Sequence, residues 1–153
     1  MPLDVIGTDP ARSLGISDRF VEHYNATWFG EGYSVDTERV GYQAPPLDGI
    51  WASAPYLHNG SVPTLHALLE SPTRPGRFAR PPSTDFEYYD TRQVGWKFHE
   101  LTAAEAAAMK RSAHKAHFLY DTCRFGLGNR GHTFGDKLSE DQRMDLIEYL
   151  KTL

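Results

Sequence analysis

Two loops of this chain hold a histidine in a setting that favours binding of a metal, a cofactor or a proton. The first loop contains His58, which lies between Pro55 and Pro63. The prolines restrict the backbone on either side, and the intervening Asn59-Gly60 is a dipeptide typical of tight turns. An imidazole held this rigidly is expected to meet a specific partner, because it ligates metals and exchanges protons near neutral pH.

The second loop contains His132, which lies between Gly131 and Gly135. Glycine lets a backbone approach a bulky ligand closely, and an imidazole without bulky neighbours can reach a metal between helices. The alternative is that the glycines serve only the turn and that His132 is a polar surface residue.

A third arrangement, His114 and His117, would place two imidazoles on one face of a predicted helix. With a carboxylate as third ligand, the pair would support a non-haem metal or hydrolytic enzyme. The neighbouring lysines and arginine favour a solvated face instead, and the sequence places no third ligand. Motifs of phosphate-binding loops, dinucleotide-binding folds and zinc proteases are absent. The remaining histidines, for which no site is predicted, are His23, His66 and His99.

Composition excludes several classes of protein. The formal net charge of -4 argues against a nucleic-acid partner, and no apolar run reaches the roughly 18 residues of a membrane span. The single cysteine, Cys123, allows neither an internal disulfide nor a zinc site of several thiolates. The first residues lack the basic and apolar regions of a secretory signal. We therefore expect either a cytoplasmic protein or part of something longer.

The elements that must position these histidines are predicted to be helices joined by long ordered loops. Capping boxes indicate two helix starts, at Thr102 with Glu105 and at Ser139 with Gln142. Strand signals are weak throughout, so the predicted fold is mostly α and forms a single domain over residues 1–153. Helices are predicted over 9–29, 63–71, 103–118 and from 139 onward, and ordered loops over 30–50, 72–99 and 119–138.

The segment from Tyr42 to Leu65, with Ala54-Pro55-Tyr56-Leu57-His58-Asn59-Gly60-Ser61 at its centre, resembles the C-terminal haem domain of di-haem c-type cytochromes. This broad group includes the bacterial di-haem cytochrome c peroxidases. The closer similarity is to the cytochrome c family that contains the rubber oxygenases. Ile6-Gly7-Thr8-Asp9-Pro10 and the ending from Gly131 to Leu153 are also similar, so the resemblance covers nearly the whole chain.

This resemblance implies a cytochrome c-like fold and a pocket for haem c. In the family the distal iron ligand lies in the loop before the last helix, which implies His132 as the metal ligand. His58 is implied to pack or hydrogen-bond beside the same haem. Ligation of the iron by two histidines would favour electron transfer over oxygen chemistry, because no coordination position stays free. The other cofactor-binding residues implied are Trp51, Pro55, Tyr56 and Asn59.

One feature departs from the family: the 153 residues contain no Cys-x-x-Cys-His, the motif that attaches haem c. The resemblance therefore implies the C-terminal portion of a longer periplasmic or secreted oxidoreductase of the peroxidase or oxygenase type. A redox protein or a preceding haem domain would be its partner, and no activity is expected from this chain alone. The alternative is a degenerate cytochrome-like structural or binding module without haem.

Overall fold

A computed structural model describes residues 1–33, 35 and 41–153 of the chain. Short helices and short strands alternate along this part, and single 3-10 turns connect several of them. The α-helices are α1 (Leu3–Ile6), α2 (Ala11–Leu14), α3 (Asp18–Asn25), α4 (Leu65–Leu69), α5 (Ala103–Lys110), α6 (Ala113–Ala116) and α7 (Glu140–Leu150). The strands are β1 (Arg77–Ala79), β2 (Tyr89–Asp90), β3 (Gly95–Trp96), β4 (His99–Glu100) and β5 (Leu119–Asp121).

The prediction of a mostly α fold, with short helices joined by long ordered loops, is wrong. Helix makes up 41% and strand 12% of the structure, and the strands form two small sheets, so the fold is a small mixed α/β fold. Apart from Glu100 at the end of β4, the residues of the five described strands lie in the predicted loops 72–99 and 119–138. Strands of two or three residues are too short to show the alternation of apolar and polar residues by which a sequence reveals a strand.

Aromatic contacts explain why the strands of the larger sheet pair. Its order is β4-β1-β5, and both pairs are antiparallel. Phe78 of β1 lies opposite Tyr120 of β5, with stacked rings whose centroids are 5.2 Å apart. Phe98 contacts Phe78 edge to face at 5.7 Å. Cross-strand aromatic pairs of this kind stabilise antiparallel sheets.

Both predicted capping boxes are confirmed. The Thr102 hydroxyl accepts a hydrogen bond from the Glu105 amide at 3.3 Å at the start of α5. The Ser139 hydroxyl accepts one from the Gln142 amide, also at 3.3 Å, at the start of α7. Each cap satisfies amides that the first helical turn leaves without a partner.

Two predicted helical regions are divided. Residues 9–29 contain α2 and α3, and 103–118 contain α5 and α6, the second of which begins where the Ser112 hydroxyl accepts from the Lys115 amide. Within the predicted loop 30–50, positions 34 and 36–40 lie outside the described residues. The longest described helix, α7, has 11 residues, against about 20 for a bilayer span, and no described helix qualifies as one.

The core lies where α4 packs against α7. Leu65 on α4 is 1% exposed and Ile147 on α7 is fully buried. Tyr56, Val62 and Val94 complete the centre of this cluster. The turn that carries His58 joins Tyr56 to Val62 and leads directly into α4, so the core fixes that turn from both of its ends.

Candidate functional site

The His58 turn is closed by backbone hydrogen bonds. The Tyr56 amide donates to the Val62 carbonyl at 2.7 Å, and the Val62 amide donates back at 3.3 Å. Inside this closed loop Leu57 has a positive φ of 65°, a conformation that L-residues rarely adopt. The loop geometry therefore confines the direction in which His58 leaves the backbone.

Residues from other segments hold the ring and the backbone of His58. The Tyr42 ring stacks on the imidazole with centroids 4.3 Å apart and planes 20° apart. The Tyr42 hydroxyl donates to the Asp9 carbonyl at 2.9 Å, and the Arg12 guanidinium donates to the His58 carbonyl at 3.2 Å. The sequence alone predicts no site role for Tyr42, Asp9 or Arg12. Tyr42 and Asp9 do lie in the segments that carry the resemblance, which was the available signal.

The His132 loop packs tightly against the N-terminal segment. Gly131 has a φ of 77°, and a Cβ at this position would lie 2.3 Å from the Ile6 carbonyl oxygen and 2.5 Å from the Thr8 nitrogen. Only glycine permits both this conformation and this approach. The amide of His132 then donates to the same Ile6 carbonyl at 2.9 Å. Gly131, which was predicted to let the backbone approach a bulky ligand, thus brings two backbones together in the structure.

Side chains tie the two histidine loops to each other. The Asn59 side-chain amide donates to the carbonyl oxygens of Gly126 at 3.2 Å and Gly128 at 2.8 Å. The Gly128 amide donates to the Asp9 carboxylate at 3.0 Å. Asn59, which was predicted to bind the cofactor, therefore hydrogen-bonds the His58 turn to the segment that leads to His132.

Burial and nearby charges lower the pKa of both imidazoles. Burial, the Arg74 guanidinium and His58 all lower the pKa of His132, in that order of importance. Burial also lowers the pKa of His58, an effect opposed by the Asp9 carboxylate and reinforced by Arg12. Both rings are therefore kept neutral near pH 7. A neutral imidazole has the free nitrogen lone pair that a metal requires.

Three buried side-chain atoms have no hydrogen-bond partner within the described part of the chain. They are Thr8 Oγ1, His58 Nε2 and His132 Nδ1. Buried polar atoms are nearly always hydrogen-bonded, so each exception requires a cause. All three belong to the N-terminal segment and the two histidine loops, which pack on one another. The donor set fits haem iron, for which a neutral imidazole is a common axial ligand.

Of the other predicted pocket residues, Tyr56 belongs to the core and Trp51 is exposed. Tyr56 is 4% exposed, its hydroxyl donates to the Ile50 carbonyl at 3.1 Å, and burial raises the pKa of this hydroxyl. Trp51 is 45% exposed, and its carbonyl accepts from the Tyr89 hydroxyl. Contact of Trp51 and Tyr56 with a cofactor stays a prediction.

Pro55 lines a small cavity beside the His58 turn. The cavity has a volume of about 60 Å³ and is walled by aromatic rings, among them Phe78, Trp96 and Tyr120. Sites for drug-sized ligands measure roughly 300–1,000 Å³. Neither His58 nor His132 belongs to the lining. A haem that contacted the imidazoles would therefore lie outside this cavity, and the pocket role of Pro55 stays a prediction.

No third ligand from the described residues joins His114 and His117 to complete the alternative metal site. Both side chains are exposed, and His114 contacts Phe118 edge to face at 6.0 Å. Among the described residues, the only cluster of three histidine, cysteine or carboxylate side chains with metal-binding spacing lies elsewhere.

That cluster consists of His66, Glu70 and Glu140, whose potential ligand atoms lie within 4.8 Å of one another. Arg143 already pairs with both carboxylates, at 2.6 Å to Glu140 and 3.3 Å to Glu70. The Arg143 side chain is 4% exposed, so a buried cation balances these charges. The arrangement is an ion-pair network that joins α4 to α7.

Parts of this chain are similar in sequence to known proteins. Residues 41–79, which include His58, match the family model described as RoxA-like, cytochrome c-like, and this match confirms the resemblance drawn from the sequence. Over 125 residues the chain is 40% identical to the uncharacterized protein y4iJ of Sinorhizobium fredii (strain NBRC 101917 / NGR234). It is 38% identical over 125 residues to the uncharacterized protein y4iM of the same strain.

These alignments cover 74% and 73% of this chain but 18% and 27% of the two relatives. The chain thus corresponds to less than a third of the length of the curated relatives it matches. What the comparisons support is a cytochrome c-like module, a kind of module that binds haem.

Proposed function

We propose that this chain is the haem-binding electron-transfer portion of a longer c-type cytochrome oxidoreductase. The observation that supports this proposal is that the buried nitrogens His58 Nε2 and His132 Nδ1 have no hydrogen-bond partner within the described residues. His132 would be the axial ligand of the iron. His58 would lie beside the same haem, with Trp51, Pro55, Tyr56 and Asn59 around it.

A bound haem c supplies a reversible one-electron couple. The residues of this chain bind and orient it. The His58 ring is fixed by stacking on Tyr42, and the His132 loop is fixed against Ile6. Burial keeps both rings neutral and therefore able to bind a metal. If the histidine of a haem-attachment motif in the longer protein ligated the iron together with His132, no position would be left for oxygen or peroxide, which favours electron transfer.

The whole protein would extend well beyond this chain, as the lengths of the two relatives suggest. We propose that its electron partner is a preceding haem domain or a separate redox protein. A peroxidase-like or oxygenase-like reaction would belong to that whole protein. We propose a periplasmic or secreted location, because cytochrome c-like domains typically work outside the cytoplasm.

Titration of the purified chain with haemin tests this proposal. The wild-type chain should shift the Soret band of haemin to the position of a histidine-ligated haem, and His132→Ala should lose that shift. His114→Ala is the matched control, because it removes an exposed imidazole from α6 and should leave the spectrum unchanged. An unchanged spectrum for His132→Ala would refute the assignment of His132.

A cytochrome-like module without haem is the second candidate. It is favoured by the cysteine content, since Cys123 is the single cysteine and is exposed beside the Arg77 guanidinium at 3.2 Å. Cys123 cannot form the paired thioethers of haem c by itself. For this candidate we expect that the wild-type chain does not shift the Soret band of added haemin. We also expect His132→Ala to change stability no more than other loop substitutions do.

A further inference from the structure

Arg74 contacts both α4 and the His132 loop through main-chain carbonyl oxygens. On the α4 side, its Nε donates to the Ala67 carbonyl at 3.0 Å and its Nη2 to the Leu68 carbonyl at 2.8 Å. These carbonyls belong to the last turn of a helix, where no later helical amide is available to donate to them. Arg74 therefore ends α4 as a side-chain cap.

On the loop side, the same guanidinium reaches three more carbonyl oxygens. Nη1 donates to Asn129 at 2.7 Å and to Gly131 at 2.6 Å, and Nη2 donates to His132 at 3.0 Å. Residues 127–132 form no helix or strand. Their carbonyls consequently depend on side chains or water for hydrogen bonds, and Arg74 supplies three of those bonds.

The number and direction of these bonds fit only arginine. A guanidinium has five N–H groups in one rigid plane, and all five are used here by five carbonyl oxygens. Lysine has three donors on a flexible stem and cannot match a planar set of five acceptors. The five hydrogen bonds of Arg74 thus form one rigid link, the Arg74 bracket, that holds α4 against the His132 loop.

We infer that Arg74 is a positioning residue that sets the distance between His58 and His132. The helix α4 begins directly after the His58 turn, and the other arm of the bracket ends on the His132 carbonyl. Arg74 acts through His132 and is not assigned any contact with the haem. The role in haem binding rests on the proposed function, whereas the role in holding the loop does not.

Two variants separate this inference from general loss of stability. Arg74→Lys keeps the positive charge but cannot make the five directed bonds. Arg77→Lys is the control, because Arg77 also lies at a partly buried position but bonds to Asp121 at 3.2 Å and to Cys123, and to no residue of 126–132 in the described structure. Hydrogen exchange of peptides covering residues 126–132 is measured in the haem-free chain, and haemin affinity is measured by optical titration.

In Arg74→Lys we expect faster exchange over 126–132 and haemin binding weakened about 10- to 100-fold, the usual effect of losing a residue that orients a metal ligand. Arg77→Lys should change neither. If Arg74→Lys binds haemin as tightly as the wild-type chain, the positioning role is refuted while the proposed function stands. If exchange over 126–132 is unchanged, the bracket itself is refuted. If the wild-type chain binds no haemin, the proposed function and the haem-related role both fall, and exchange still decides whether Arg74 holds the loop.

Discussion

The contact between Gly131 and the N-terminal segment leads to a quantitative prediction for Gly131→Ala. The first term is conformational, because a φ of 77° is strained for any residue with a Cβ. That strain costs about 1–2 kcal/mol. The second term is steric, because the new Cβ would lie 2.3 Å from the Ile6 carbonyl oxygen and 2.4 Å from the Gly7 carbonyl carbon. These are main-chain atoms, so no side-chain rotation can relieve the overlap.

Overpacking of this kind costs about 1–3 kcal/mol. We therefore expect Gly131→Ala to lower the free energy of unfolding by about 2–5 kcal/mol, the sum of the two terms. For a chain of this size, each 1 kcal/mol lowers the Tm by about 2–4 °C. Because the His132 amide bonds the same Ile6 carbonyl, the substitution should also weaken haemin binding.

Two other glycines separate the terms when all three variants are compared by urea denaturation. Gly49 has a φ of 69° but no atom within 4 Å of a built Cβ, so Gly49→Ala should show only the conformational cost. Gly76 has neither a positive φ nor a near atom, so Gly76→Ala should change stability by no more than about 1 kcal/mol. Equal losses for Gly131→Ala and Gly49→Ala would refute the close approach of the two backbones.

Two further predictions concern buried polar groups. Thr8→Val should leave the haem-free chain at least as stable as the wild type in urea denaturation, because it removes a buried hydroxyl without a described partner. A decrease in the free energy of unfolding above about 2 kcal/mol would reveal such a partner. The hydrogen bond from Lys110 lowers the pKa of the Asp121 carboxyl, and Arg77 contributes to this shift. The ionised carboxylate therefore stabilises the fold at a pH above its ordinary pKa of about 4, and this stabilisation is lost as the pH falls below that value. Asp121→Asn should therefore be less stable at pH 7 and show a flatter loss of Tm in acid; equal slopes for both proteins would contradict this.

Local features of the fold could be predicted from the sequence, and long-range ones could not. The capping boxes at Thr102 and Ser139 are visible because their partners lie three residues away in the sequence. The strands were missed because their pairing depends on contacts such as Phe78 with Tyr120, which belong to distant segments. The mostly α prediction failed for this reason.

The same distinction between local and long-range features applies to the candidate site. His58 and His132 each had a local signature of proline or glycine, but their assignment to one site followed only from the resemblance to a family. Arg74 lies 55 to 58 residues from its three loop acceptors, and no local pattern distinguishes it from an ordinary charged loop residue. Tyr42 was likewise hidden, since its stacking on His58 is a tertiary contact.

The central claim is that His132 binds haem iron at a site shared with His58. Resonance Raman spectroscopy of the ferrous haem complex tests it most directly, because the iron–histidine stretch reports an imidazole bound to the iron. We expect this stretch from the wild-type chain and from His114→Ala, and its loss in His132→Ala. An iron–histidine stretch that persists unchanged in His132→Ala would contradict the claim.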